Sequence, residues 1–267
     1  MALTRAQFQR AAAMEENQQR LGQLARMSHG SLHALLAGDP AEAAVWVRSA
    51  AECGLAAAQL RLGRMLLAGM GIERDERAAF GWFVRAAAQG DAEASNMVGR
   101  CHENGWGVAA DLARAAASYH ASARGRHDWG QYNYGNLLFD GRGVPRDRRQ
   151  ALRWYLRASS QGHGRAMNLL ARCLEEGWGC RRAVREAAYW YERSARSGYF
   201  RGQFNYAVLL AQRGRPEPAA QWFWNAAANG DAKMREAITA ALATARAPAL
   251  QRVRARVLRD WPAVPAQ

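Results

Sequence analysis

The sequence predicts an all-α fold, an α/α solenoid of antiparallel helix pairs with a 36-residue period and helical caps at both ends. Three observations carry the prediction. A glycine pair returns at that spacing, as Gly69 and Gly71, Gly105 and Gly107, Gly141 and Gly143, Gly177 and Gly179. An aspartate follows the pair at Asp75, Asp111 and Asp147, and a tryptophan stands seven residues further on at Trp82, Trp154 and Trp190. Alanine-rich runs then end on Gly54, Gly90, Gly162, Gly198 and Gly230. A strict period of this length marks stacked supersecondary units that bury a continuous core only together.

Each element follows from the register. In the first helix of a unit a small residue follows an apolar one, in Leu62-Gly63, Val98-Gly99, Tyr134-Gly135, Leu170-Ala171 and Tyr206-Ala207, which lets two backbones approach closely. The aspartates read as N-caps of the second helix, where a side-chain oxygen accepts from free N–H groups. The tryptophans, with an aromatic usually following as in Trp154-Tyr155, read as packing residues; Ser118, Trp46 and, after a deletion, Trp222 share their register. The closing glycines suit the left-handed residue that ends a helix. One unit departs, with Gly125 a residue early and Arg126 in the usual place.

These positions divide the chain into three regions. Residues 1–30 form an amphipathic capping helix whose Leu21, Leu24 and Met27 cover the first unit. Residues 31–230 hold a degenerate first unit, four full units and a shortened last one, and 231–267 hold capping helices and a loose tail. Within 231–267 a helix runs through Met234, Ile238 and Leu242, and Ala247-Pro248 breaks the chain before a helix with Leu250, Val253, Val257 and Leu258. The tail from Trp261 to Pro265 is expected to be loosely ordered.

The segment Leu62-Gly63-Arg64-Met65-Leu66 to Gly69-Met70-Gly71-Ile72, then Asp75, Ala79, Trp82-Phe83 and Ala86-Ala87-Ala88-Gln89-Gly90, resembles a Sel1-like repeat, related to tetratricopeptide repeats. The likeness runs from about Gly54 to Gly230. It implies a superhelix whose first helices line a concave surface, and a protein that acts as an adaptor or scaffold rather than an enzyme.

No apolar run follows Met1, and no stretch is long and apolar enough to span a membrane, so a cytoplasmic protein without signal peptide or membrane span is expected. Cys53, Cys101, Cys173 and Cys180 lack the pairing of secreted relatives and read as buried reduced thiols; a Cys173–Cys180 disulfide would require export. The net charge is +14, and every basic residue but Lys233 is arginine, a bias that codon usage in a GC-rich genome also produces. The distribution is more telling. Arg142, Arg146, Arg148 and Arg149 lie in one inter-helix loop, and Arg181, Arg182 and Arg185 in the next. Together they predict a basic rim suited to an acidic protein segment, RNA or anionic phospholipid, or simply a solvated surface.

A second surface comes from first-helix positions not reserved for packing: Arg61 and Arg64, Met97 and Arg100, Asn133 and Asn136, Leu169 and Arg172, Asn205 and Val208. Asparagine side chains there suit a peptide backbone and arginines its carboxylates. For Arg64, Arg100 and Arg172 a solvent-facing role, or an ion pair with nearby Glu103, Glu175 or Glu176, is an equal alternative. Trp106 and Trp178, between the paired glycines, either anchor a partner or fold over a neighbouring unit.

Catalytic constellations are missing. His29 and His33 are spaced four apart but lack an HExxH arrangement, and the glycine loops follow helices and lack GK[ST]. The expected protein is a monomeric, non-enzymatic scaffold without metal or cofactor. It binds a protein or peptide, an acidic one by charge, through Arg64, Arg100, Asn133, Asn136, Arg172 and Asn205 on the concave face and through the basic rim. RNA bound by the arginine-rich rim is the alternative.

Overall fold

The computed structural model describes residues 5–261, with side chains except at 5–8, 10, 11, 29 and 32. The tail beyond Trp261 and the side chain of His29 therefore lie outside the described residues. Among the described residues there are fifteen helices and no strand. They are α1 (Arg5–Arg26), α2 (His29–Ala37), α3 (Pro40–Glu52), α4 (Ala56–Ala68), α5 (Glu76–Ala88), α6 (Ala92–Asn104), α7 (Leu112–Arg124) and α8 (Asp128–Asp140). There follow α9 (Arg148–Ser160), α10 (Gly164–Glu176), α11 (Val184–Arg196), α12 (Phe200–Gln212), α13 (Pro216–Asn229), α14 (Ala232–Ala241) and α15 (Pro248–Asp260). Two compact bodies result, one running to Tyr134 and taking in Arg142–Pro145, the other formed by Gly135–Gly141 and the chain from Arg146 onward.

Within the first body α4 packs on α5 and α6 on α7, with α1 laid against α3; within the second α10 packs on α11 and α12 on α13, which α15 covers. Inside a pair the small residue of the first helix makes room for an aromatic ring of the second. A Cβ added to Gly63 would stand 2.5 Å from the ring of Phe83, and one on Gly135 would stand 2.7 Å from that of Tyr155. The aromatic seated on the small residue is thus the one after the tryptophan register: Phe83, Tyr119, Tyr155, Tyr191 and Phe223 are all buried. The tryptophans play a secondary role. Trp154 is buried, whereas Trp46, Trp82, Trp190 and Trp222 are half-buried. Arginines cover three of them, with Arg85 4.4 Å from the centre of Trp82, Arg157 4.4 Å from Trp154 and Arg193 5.5 Å from Trp190.

The glycine loops join the two helices of a pair and rest on the pair before. Gly143 has φ +71°, and a Cβ there would fall 2.3 Å from the Leu112 carbonyl at the start of α7, so both conformation and space exclude a side chain. The second glycine of the other loops sits in the same way on the first turn of α3, α5 or α9. The cap residue then ties the loop to the first helix: the N–H of Asp75, Asp111, Asp147 and Ala183 donates to Leu66, His102, Leu138 and Leu174 at 2.8–3.0 Å. Asp75, Asp111 and Asp147 accept from the first turns of α5, α7 and α9, as expected of N-caps; Ala183 makes no side-chain cap. Of the closing glycines Gly54, Gly90, Gly162 and Gly198 are left-handed, but Gly230 is extended with φ −94°. Arg126 takes the left-handed position of its unit at φ 64°.

At the ends Leu21, Leu24 and Met27 are half-buried, while Met234, Ile238, Leu242, Leu250 and Val257 are buried. Leu258, on the same helix, is exposed. Cys101 and Cys173 are buried, Cys53 and Cys180 half-buried, and all four are free thiols; Cys180 Sγ lies 3.7 Å from the Cys173 carbonyl. Burial pushes the Cys101 thiol up to about 11 and the Cys173 thiol up to about 12.

Candidate partner-binding surface

The first helices α4, α6, α8, α10 and α12 carry the expected ladder, and its rungs differ in what they offer. Arg61, Arg64, Arg100 and Arg172 are exposed, Asn133, Asn136, Leu169, Asn205 and Val208 are half-buried, and Met97 is buried in the core. The arginines are held by groups other than those spacing along the chain suggested. Arg64 pairs with Glu93, whereas Arg100 lies over Trp106 at 4.9 Å and Arg172 over Trp178 at 5.1 Å. Glu103 and Glu175 are engaged elsewhere, accepting the hydroxyls of Tyr119 and Tyr191 at 2.7 Å. The loop tryptophans fold back on their own protein: Trp178 stands 5.5 Å from Phe139, and both it and Trp106 are half-buried.

The asparagines link neighbouring repeats. Asn133 Nδ2 donates to Asn96 Oδ1 at 2.9 Å, and Asn205 Nδ2 donates to Asn168 Oδ1 at 2.8 Å. Asn136 Oδ1 accepts from the Tyr155 hydroxyl at 2.9 Å. These contacts expose an alternation over two repeats. Asn96, Arg100, Glu103 and Trp106 recur as Asn168, Arg172, Glu175 and Trp178, each 72 residues on, while the repeat between carries Tyr132, Asn136, Phe139 and Arg142; the tyrosine that follows is the same in all three, as Tyr119, Tyr155 and Tyr191. The matching of Cys101 with Cys173 and of Trp106 with Trp178 is the portion of this pattern that the single-repeat register displays.

The rim arginines separate into two sets. Arg146 Nε donates to the Phe139 carbonyl at 3.2 Å and Arg182 Nε to the Glu175 carbonyl at 2.8 Å, the same contact one repeat apart, satisfying the carboxyl end of a first helix. Arg142 pairs with Glu103 at 3.2 Å, and Arg148 stacks on Phe139 at 4.9 Å and Trp178 at 5.6 Å. Those four brace the loops. Arg149, Arg181 and Arg185 are exposed.

Among the described residues no three His, Cys, Asp or Glu side chains are grouped to hold a metal, and no helix is long and apolar enough to cross a membrane. His102 is buried against Phe80 at 5.3 Å, and His163 caps α10 by accepting from the Ala166 N–H at 3.1 Å.

Repeated helix pairs, aromatics seated on small residues and paired loop glycines agree with the family comparison, in which the Sel1 repeat matches residues 18–55, 56–91, 92–125, 130–163 and 164–199. The chain belongs to the Sel1 repeat family. Proteins built from Sel1 repeats generally mediate protein–protein interaction, and the repeat is a non-catalytic scaffold fold. A Sel1 repeat protein from Oxalobacter formigenes is 25% identical, with 85% of this chain and 97% of that one covered and a TM-score of 0.74. The c5321 protein of uropathogenic Escherichia coli, described as a protective antigen displaying an SLR fold, is 29% identical with a TM-score of 0.69. The match covers 83% of this chain and 48% of c5321, so the chain spans about half the length of that relative. An immunity protein of Pseudomonas aeruginosa, PA5088, at 16% identity, TM-score 0.50 and coverage of 77% and 82%, shares the fold alone. Among curated proteins none matches the chain.

Proposed function

We propose that this Sel1 repeat protein is a scaffold or adaptor of a bacterial cytoplasm, working as a monomer, and that it binds an acidic protein segment along the first-helix ladder, with the exposed rim arginines adding long-range attraction. The observation that carries this reading is the recurrence of an exposed arginine at one ladder position, as Arg64, Arg100 and Arg172, each held in place by a partner. A guanidinium stacked on an indole loses little further freedom on binding and keeps its N–H donors at its edge, where a carboxylate accepts two of them. In the repeat register Asn136 occupies this same position, and Asn133 and Asn205 stand three residues before it on their own helices; each has hydrogen-bonding capacity left over after one internal bond, which suits a peptide backbone. Free thiols in place of a disulfide framework support the cytoplasm.

The test is affinity capture from native lysate with and without nuclease, comparing the natural chain with Arg100→Glu/Arg172→Glu and with Arg149→Glu/Arg181→Glu/Arg185→Glu. A protein retained after nuclease, lost by the ladder variant and weakened in a salt-dependent way by the rim variant is the expected result. Retention by the ladder variant would remove the ladder from the binding surface. RNA that co-purifies, and whose digestion strips the remaining proteins, would replace the scaffold by the RNA-binding alternative.

A further inference from the structure

The start of the ladder adjoins a pocket that packing leaves open. Its volume is about 600 Å³, and Leu21, Leu24, Leu36, Trp46, Val47 and Leu60 line it from α1, α2, α3 and α4. That volume lies in the ordinary range of ligand sites, about 300–1,000 Å³. Among the described residues the charged side chains in its lining are Arg61 and Arg64, and no acidic residue joins them. Both are exposed. Arg61 Nη2 donates to the Leu36 carbonyl at 2.9 Å, which fixes that guanidinium at the pocket, and Arg64 reaches from α4 to Glu93 on α6.

We infer that this pocket is the anchor site for the acidic segment: it takes one bulky aliphatic or aromatic side chain, whose neighbouring carboxylate displaces Glu93 from Arg64. The inference rests on the ladder reading above and adds where the partner is gripped and by what sequence. Charge complementarity selects the occupant. An apolar cavity bounded by two arginines and no acid favours an apolar group joined to an anion. The arginines continue on α6 at Arg100, which favours a chain molecule bearing further carboxylates over a single-headed lipid. The Arg64–Glu93 pair acts as a placeholder: both side chains are more than two-fifths exposed, so exchanging one carboxylate for another costs little desolvation. Affinity then comes mainly from the buried side chain, and the salt-sensitive component from the exchange.

The full-length chain is panned against displayed random dodecapeptides, and enriched sequences are remade with a fluorophore for anisotropy titration. Enrichment of a large apolar residue next to Asp or Glu is expected. Ala57 lines the pocket from its exposed side, so Ala57→Trp fills the space without entering the core and should weaken binding about tenfold or more. Arg64→Met should weaken it less, with a smaller salt dependence. Glu93→Gln, which releases Arg64, should tighten it by roughly two- to fivefold, a change of sign that mere loss of structure does not produce. Circular dichroism checks that each variant is folded. Peptides that bind Ala57→Trp as well as the natural chain but fail on Arg100→Glu/Arg172→Glu would overturn the pocket and leave the ladder. Absence of any enriched peptide would overturn both, and binding of dodecanoate in that case would assign the pocket to a lipid.

Discussion

Repeats 92–127 and 128–163 build the same helix pair with different side-chain wiring. In the first, Tyr119 gives its hydroxyl to Glu103, Arg100 lies on the loop residue Trp106, and Ser118 occupies the tryptophan register, donating to the Arg114 carbonyl at 2.9 Å. In the second, Phe139 replaces the glutamate and Tyr155 turns to Asn136; the loop carries Arg142, and the tryptophan stands on α9 as Trp154 beneath Arg157. The constant feature is the aromatic on the glycine, Tyr119 on Gly99 and Tyr155 on Gly135, where an added Cβ would approach within 2.6 and 2.7 Å. Apolar bulk and charged partners can therefore move between loop and second helix as long as that contact stays. The ladder arginine persists only where a loop tryptophan or a neighbouring acid supports it.

Removing the bulk from each repeat separates the two designs most widely. Trp154 is 8% exposed, so Trp154→Ala should cost about 3–5 kcal/mol, the usual range for a large buried side chain. Ser118→Ala at the same register should change stability by less than about 0.5 kcal/mol, as a helix-surface substitution does. Urea denaturation followed by circular dichroism compares them. Equal midpoints would show that the tryptophan of α9 contributes surface rather than core.

The hydroxyl wiring should appear at high pH. Burial, and then the hydrogen bond to Glu103, hold the Tyr119 hydroxyl well above the usual phenol range; burial and Glu175 do the same for Tyr191. An unfolded tyrosine ionises near about 10. The folded state therefore keeps protons that the unfolded state releases, so this stability is fully present below about pH 10 and is lost as pH rises further. The raised thiols Cys101 and Cys173 have the same sign, beginning near about 8.5. Tyr119→Phe should lower stability by about 1 kcal/mol at neutral pH, a typical net hydrogen bond, and flatten the alkaline fall. Melting temperatures between roughly pH 8 and 11 report both; an alkaline slope unchanged by Tyr119→Phe would mean that this hydroxyl is not the group titrating.

Helix pairs, loops and caps were legible in the sequence because backbone geometry imposes them at a fixed period: Gly143 has no alternative where φ is positive and the Leu112 carbonyl is in the way. The ranking of the aromatics was not legible, since Trp154 and Tyr155 are adjacent and only the facing Gly135 decides which is seated deepest. The ladder positions were found by their helical spacing, but their partners were not. Arg64 skips acids near in sequence for Glu93 on the next first helix, and Glu103 turns to Tyr119 across the helix pair. Such contacts depend on how repeats stack, which pattern along one chain does not encode. The second period, over two repeats, would have pointed to them, since residues that alternate together also touch.

The smallest effect addresses the one irregular helix end. Gly125 and Arg126 exchange the order found at Gln89-Gly90 and Gln161-Gly162, and the structure shows why the glycine moved. A Cβ on Gly125 would lie 2.6 Å from Cβ of Ala92, so this repeat needs its small residue one position early. The chain still turns at the usual place, and Arg126 adopts the left-handed conformation at φ 64°. Arg126→Gly should remove that strain and stabilise the protein by about 0.5–1 kcal/mol, some of the gain being offset by the greater backbone freedom of glycine in the unfolded chain. Gly125→Ala should destabilise, because Ala92 begins a helix and has little room to retreat. Chemical denaturation of both variants settles the order: if Arg126→Gly leaves the midpoint where it is, the arginine is held by contacts that offset its backbone cost, and the comparison with the glycine-ended repeats 56–91 and 128–163 is then one of contacts rather than of conformation.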